Sequence, residues 1–212
     1  ESVKLPRLKH TLGEVILSRD PNEASLRALT EFLPNLDNLS TGIGRQAALA
    51  IAAWRAGICV SANLQTGGFD THGDHDNRQG VAMTRLTSGL NEIWQIAEDA
   101  GMADRLTICV GSDFGRTPGY NEGNGKDHWS ITSMLFMGAG IRGNRVIGAT
   151  DETHRALKLD PETLEPTGTD EGIILKPVYI QHALRDLADL SQSPLAASFP
   201  LDGGRLDSFS LG

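Results

Sequence analysis

Two hydrophobic periods, alternating along the chain, constrain the fold more than any other feature. Residues 77–100 repeat apolar side chains at steps of three and four, so Met83, Leu86, Leu90, Ile93 and Ala97 share one helical face. Asp76 or Asn77 is placed to cap the start of this helix, and Gly101 to end it. Residues 41–56 show the same period through Ile43, Ala47, Ala50, Ile51 and Trp54, with Gly57 as the stop. Shorter helices are expected at 23–33, through Leu26, Leu29 and Phe32, and at 178–190, through Ile180, Leu184 and Leu187. Between them lie brief apolar runs at 58–64, 106–110 and 133–137, with a shorter one at 145–147, which read as strands.

Helices alternating with buried strands predict an α/β layered fold with a mostly parallel sheet. The 212 residues suffice for a single domain with one sizeable core. Residues 1–22, with Pro6 and Pro21, read as a loose lead-in; 150–172, with Pro161 and Pro166, as a polar excursion; and 191–212 as an irregular tail. In open parallel sheets, sites form beyond the carboxyl ends of the strands. Asp70 and His72 follow the first strand run and Asp113 the second, so these residues are expected to gather at one sheet edge.

Bulk properties remove several function classes. A formal net charge of −8 argues against a nucleic-acid binder, which needs clustered Lys and Arg. No apolar run is long enough to predict a membrane span. Cys59 and Cys109 sit inside apolar runs and read as buried free thiols. No Gly-Xaa-Ser-Xaa-Gly elbow, P-loop or Cys-Xaa-Xaa-Cys pair is present, which weighs against a serine hydrolase of the elbow type, an NTPase and a cysteine-zinc finger.

The chemistry-bearing residues fall in three short motifs. Asp70-Thr71-His72-Gly73-Asp74-His75-Asp76 packs three Asp and two His into seven residues. In extended chain, residues two apart point the same way, so Asp70 and His72 can reach one ion. A carboxylate oxygen with an imidazole nitrogen suits zinc, manganese or iron. His75 and Asp74 offer a further ligand or a supporting contact; the plainer reading is an acidic loop leading into a helix. Asp113, in Ser112-Asp113-Phe114-Gly115, is placed to hold a cation or activate water, or else simply forms a turn. Arg116 follows in the same loop and fits either an anionic oxygen or a structural ion pair. In Asp127-His128-Trp129, His128 is a candidate ligand, Asp127 a ligand support or a salt-bridge partner, and Trp129 a pocket wall or core. Asn121 and Asn124 read only as loop polars.

Taken in order, Gly68-Phe69-Asp70-Thr71-His72-Gly73, Ser112-Asp113-Phe114-Gly115-Arg116-Thr117-Pro118, Gly125-Lys126-Asp127-His128-Trp129, Gly138-Ala139-Gly140-Ile141-Arg142-Gly143 and Gly148-Ala149-Thr150-Asp151 resemble the bacterial domain of unknown function 1501 family. That family is similar to the alkaline phosphatase and sulfatase superfamily, and the resemblance covers residues 40–190. It implies a three-layer α/β/α sandwich, alkaline phosphatase-like, with a two-metal site for ester cleavage. By position, Asp70 and His72 resemble the Asp and His of one metal, His128 the later His completing it, and Asp113 the Asp of the other metal. Phe114 stands where the superfamily has a His ligand. The superfamily's early segment, with a further Asp and the Ser or Thr nucleophile, has no counterpart in residues 1–57, so either this chain is the C-terminal part of a longer protein or its site is incomplete.

The resemblance therefore implies a metal-dependent hydrolase of small phosphate or sulfate esters, exported to the periplasm or beyond. Its divalent ion would be zinc first, with manganese, iron and calcium as further choices, and Arg116 would stabilise the anionic substrate. The alternative is a non-catalytic exported binding or assembly protein that keeps the fold and one metal; a third is an acidic loop that binds only calcium.

Overall fold

The 41–56 period does become a helix, and its start shows why. In the computed structural model, which describes residues 23–212, α1 spans Glu23–Phe32, α2 Gly42–Arg55 and α3 His75–Asp99. The 1–22 lead-in lies outside the described residues. Thr41 caps α2: its hydroxyl accepts from the Gly44 amide at 2.9 Å, satisfying one of the donors that a helix start leaves open. The chain divides into two units. One ends at Asp70 and resumes over Asp76–Ala103; the other comprises Thr71–His75 and Asp104–Gly212.

In the first unit α2 buries Ile43, Ala47, Ala48, Ile51 and Ala52, and α3 buries Ala82, Leu90, Ile93, Ile96 and Ala97. The α3 face thus begins at Ala82 rather than at Met83, which is 45% exposed. Gly89 of α3 lies so close to Ile43 that a Cβ there would collide with the isoleucine side chain. The Glu92 carboxylate accepts from the Ser40 amide and hydroxyl, each at 2.6 Å, and from the Thr41 amide at 3.1 Å and the Thr41 hydroxyl.

The first expected strand does not form. Residues 58–64 carry no ladder, and Val60 is 94% exposed. An apolar run becomes a strand only where another strand accepts its amides and carbonyls. Here the end of the segment is tied by one side chain instead: Gln46 Nε2 donates to the Gln65 carbonyl and Gln46 Oε1 accepts from the Gln65 amide, both at 2.9 Å.

The second unit holds all the described strands: β1 Thr107–Val110, β2 Gly115–Arg116, β3 His128–Trp129 and β4 Leu135–Gly138. They form two two-stranded sheets, β1 with β4 and β2 with β3, both antiparallel. The mostly parallel sheet and the three-layer α/β/α sandwich expected from the sequence are therefore overturned. Parallel neighbours need a crossover, ordinarily a helix; none lies between β1 and β4, where the chain returns through the small β2–β3 sheet and pairs Val110 with Leu135. The expectation that the site gathers at the carboxyl ends of parallel strands falls with it. The 145–147 run is not a strand, and Val146 is 92% exposed. Cys109 is an exposed free thiol and Cys59 a half-buried one, so neither is the fully buried cysteine expected.

Beyond β4, the 150–172 excursion is anchored by Leu159, which is buried and bridges both Pro166 and Ile173. Helix α4, Pro177–Leu187, starts with proline in its first turn, where a missing amide costs nothing. Its Ala183 packs in a core with Phe209 and Leu211. The tail expected to be irregular therefore contributes buried side chains and a short helix, α5, Pro194–Ser198. No helix among the described residues is long and apolar enough to cross a membrane.

Candidate metal centre

Backbone pairing, not a strand end, brings the motifs together. The Asp74 amide donates to the Gly123 carbonyl at 3.2 Å, the His75 amide to Asn124 at 2.9 Å and the Lys126 amide to Thr71 at 3.1 Å. Gly73 and Asn124 form an antiparallel bridge. Segment 71–75 is thus zipped to loop 121–126. The approach is close: a Cβ on Gly125 would collide with the His72 backbone. Thr71 is wholly buried, and its hydroxyl lies 2.7 Å from His75 Nδ1. On the other side, β2 and β3 pair Arg116 with His128. The same loop therefore carries His128 toward His72.

The rings stack in sequence. Phe114 lies flat on His128, with centroids 3.9 Å apart and planes 11° from parallel. The His128 ring centroid is 4.9 Å from that of His72. The Arg116 guanidinium sits 4.8 Å from the Phe114 centroid and donates through Nη1 to the Lys126 carbonyl at 2.7 Å. His72 Nδ1 is 3.1 Å from Asp127 Oδ1. Hydrogen bonds from Asn121 and His72, reinforced by the nearby Arg116 guanidinium, hold the Asp127 carboxyl below its ordinary range. At neutral pH it is an anion, so the His72 Nδ1–H donates to it.

Among the described residues, one set of His, Cys, Asp or Glu side chains brings three ligand atoms within 4.8 Å of one another: Asp70, His72 and His128. Asp70 is joined to the 71–75 segment by its own peptide bond and stands two residues before His72. All three are exposed. Asp113 is exposed and lies outside this set, as does His75, which contacts Thr71 and meets the Tyr120 ring in a T-shaped arrangement. Trp129 is half-buried and donates to the His154 carbonyl at 2.8 Å.

A family model described as a protein of unknown function (DUF1501) matches residues 19–167. The chain belongs to this family. No curated protein and no solved structure matches it.

Within this DUF1501 chain, the donor set fits a transition-metal dication. One carboxylate oxygen and two imidazole nitrogens form the mixed O/N set that zinc takes, and three protein ligands leave a position for solvent or substrate. Calcium takes six or more oxygen ligands, so two imidazoles suit it poorly. A histidine ligand ordinarily donates its second ring N–H to a carboxylate, the contact Asp127 makes with His72. The sequence signal missed was Asn121. It reads as a loop polar, yet its side chain contacts His72, Asp127, Gly123 and Gly125. Its place among glycines, six residues before Asp127, is the only hint the sequence carries.

Proposed function

We propose that this chain carries the metal-holding part of a metal-dependent hydrolase acting on small phosphate or sulfate esters, with Asp70, His72 and His128 as the ligands of one divalent ion, zinc first. The observation that carries the reading is the His72–His128 pair, with ring centroids 4.9 Å apart and one ring oriented by Asp127. Two imidazoles held side by side with an anion behind one of them form an arrangement suited to a cation. The ester class comes from the ordered motifs and their similarity to the alkaline phosphatase and sulfatase superfamily. When bound, the ion would supply Lewis-acid polarisation of the ester oxygen and lower the pKa of a water. Asp70, His72 and His128 would hold it, and the exposed setting of all three admits a substrate. Arg116 would contribute positive charge beside an anionic ester. Export follows from the family resemblance and belongs to the same proposal.

The second reading, a non-catalytic protein holding one ion, is favoured by a specific observation. Asp113 stands outside the ligand set, and Phe114, in place of a ligand, is stacked on His128.

Zinc content of the purified chain, of Asp70→Ala and of His128→Ala tests the ligand assignment, with about one equivalent expected only in the unsubstituted protein. Equal content in all three sinks it. Turnover of aryl phosphate and aryl sulfate esters, lost on chelation and restored by zinc or manganese, supports the hydrolase; bound zinc without turnover supports the second reading.

A further inference from the structure

We infer that Asn121 is the positioning residue of this centre, acting through Asp127 to fix the His72 ring in the Nδ1–H tautomer. The inference rests on the metal reading above and adds the group that sets the geometry of one ligand. Asn121 makes four side-chain hydrogen bonds, and they divide into two pairs. Its Oδ1 accepts from the Gly123 amide at 3.0 Å and the Gly125 amide at 2.9 Å, which shapes the loop. Its Nδ2 donates to Asp127 Oδ1 at 3.0 Å and to the His72 carbonyl at 3.2 Å. One amide group thus grips both partners of the His72–Asp127 contact, the imidazole through its own backbone and the carboxylate directly.

The chemistry follows from the donor inventory. Asp127 as an anion only accepts, so the proton it faces resides on Nδ1, and the imidazole lone pair falls on Nε2. Without Asn121, Asp127 is an exposed side chain on a loop, free to choose other rotamers and to be solvated by water. An exposed polar contact of this kind, left to itself, is weak, because ordering two side chains offsets most of the attraction. The Nδ2 donor orders one of them in advance. The close packing of Gly125 on the His72 backbone holds the loop at the distance this requires.

The test uses the full chain, zinc alone as the probe, and two variants. Asn121→Ala removes both pairs of bonds. Asn121→Asp keeps an oxygen for the Gly123 and Gly125 amides and puts an anionic, acceptor-only oxygen where the donor faced Asp127, so the loop's amide bonds are kept while the hold on Asp127 is lost. Long-range nitrogen–proton correlation spectra of the zinc-free protein, taken where the ring is neutral, report the His72 tautomer. Expected is the Nδ1–H form in the unsubstituted chain and a tautomer mixture in Asn121→Asp, with zinc affinity measured by chelator competition falling about ten-fold or more. Unchanged tautomer and unchanged affinity in Asn121→Asp overturn the inference, as does an Nε2–H tautomer in the unsubstituted chain. If the unsubstituted chain binds no zinc, the metal reading falls, while the tautomer spectra still decide the role of Asn121.

Discussion

His72 Nδ1 and Asp127 Oδ1 stand 3.1 Å apart although 55 residues separate them in the chain. The contact exists because segment 71–75 and loop 121–126 pair through their backbones. Its consequence is that Asp127, next to one proposed ligand in sequence, orients the other in space. Replacing the anion by a neutral isostere, Asp127→Asn, should weaken zinc binding by about ten- to a hundred-fold. Competition titration against a chromophoric chelator measures this; equal affinities would remove Asp127 from the centre.

Gly125 is the tightest point of that pairing. A methyl group there meets the His72 backbone, which has no rotamer to yield. Gly125→Ala should displace the loop, so zinc affinity drops while the packing of α2 against its own unit is untouched. Amide exchange followed residue by residue distinguishes the outcomes: faster exchange at His75 and Lys126, whose amides donate across the pairing, is expected, with α2 unchanged.

Phe114 occupies one face of the His128 ring. An aromatic pair of this kind contributes about 0.5–1.5 kcal/mol. Truncation to Phe114→Ala should therefore cost about two- to ten-fold in zinc affinity, less than loss of a ligand. A loss as large as that of His128→Ala would mean that the ring does more than stack.

Glu92 links stability to pH in the first unit. Burial pushes its carboxyl up, but the hydrogen bonds from Ser40 and Thr41 outweigh this and leave it below its ordinary value of 4.5. A depressed carboxylate pKa contributes stability that is present above the unfolded value and is lost as pH falls through the folded one. Glu92→Gln should lower stability by about 1 kcal/mol at neutral pH, a modest figure because the group is only half-buried. The difference should vanish once the pH lies below both pKa values. Denaturant midpoints at neutral pH and near pH 3 check this; a gap that persists in acid would assign the effect to packing.

Local chemistry was legible in the sequence where it sufficed. The three- and four-residue steps through Ile43, Ala47 and Ile51, and through Leu90, Ile93 and Ala97, located α2 and α3 to within two residues at each end, because helical hydrogen bonds close within the segment itself. Strands are different. The 106–110 and 133–137 runs became β1 and β4, yet they pair antiparallel against the parallel sheet expected, and the apolar 58–64 run made no strand. A strand's partner and polarity lie elsewhere in the chain, and no period within the run encodes them.

The candidate site divides the same way. The sequence by itself determined which side chains have ligand chemistry and, through the two-residue spacing, that Asp70 and His72 stand as local neighbours. Only the tertiary structure decided that His128 joins them and Asp113 does not, that Asp127 turns toward His72, and that Asn121 holds both. Residue type and near-neighbour spacing are properties of the covalent chain. The meeting of residue 72 with residues 121–128 is a product of loop pairing and of a glycine small enough to permit it.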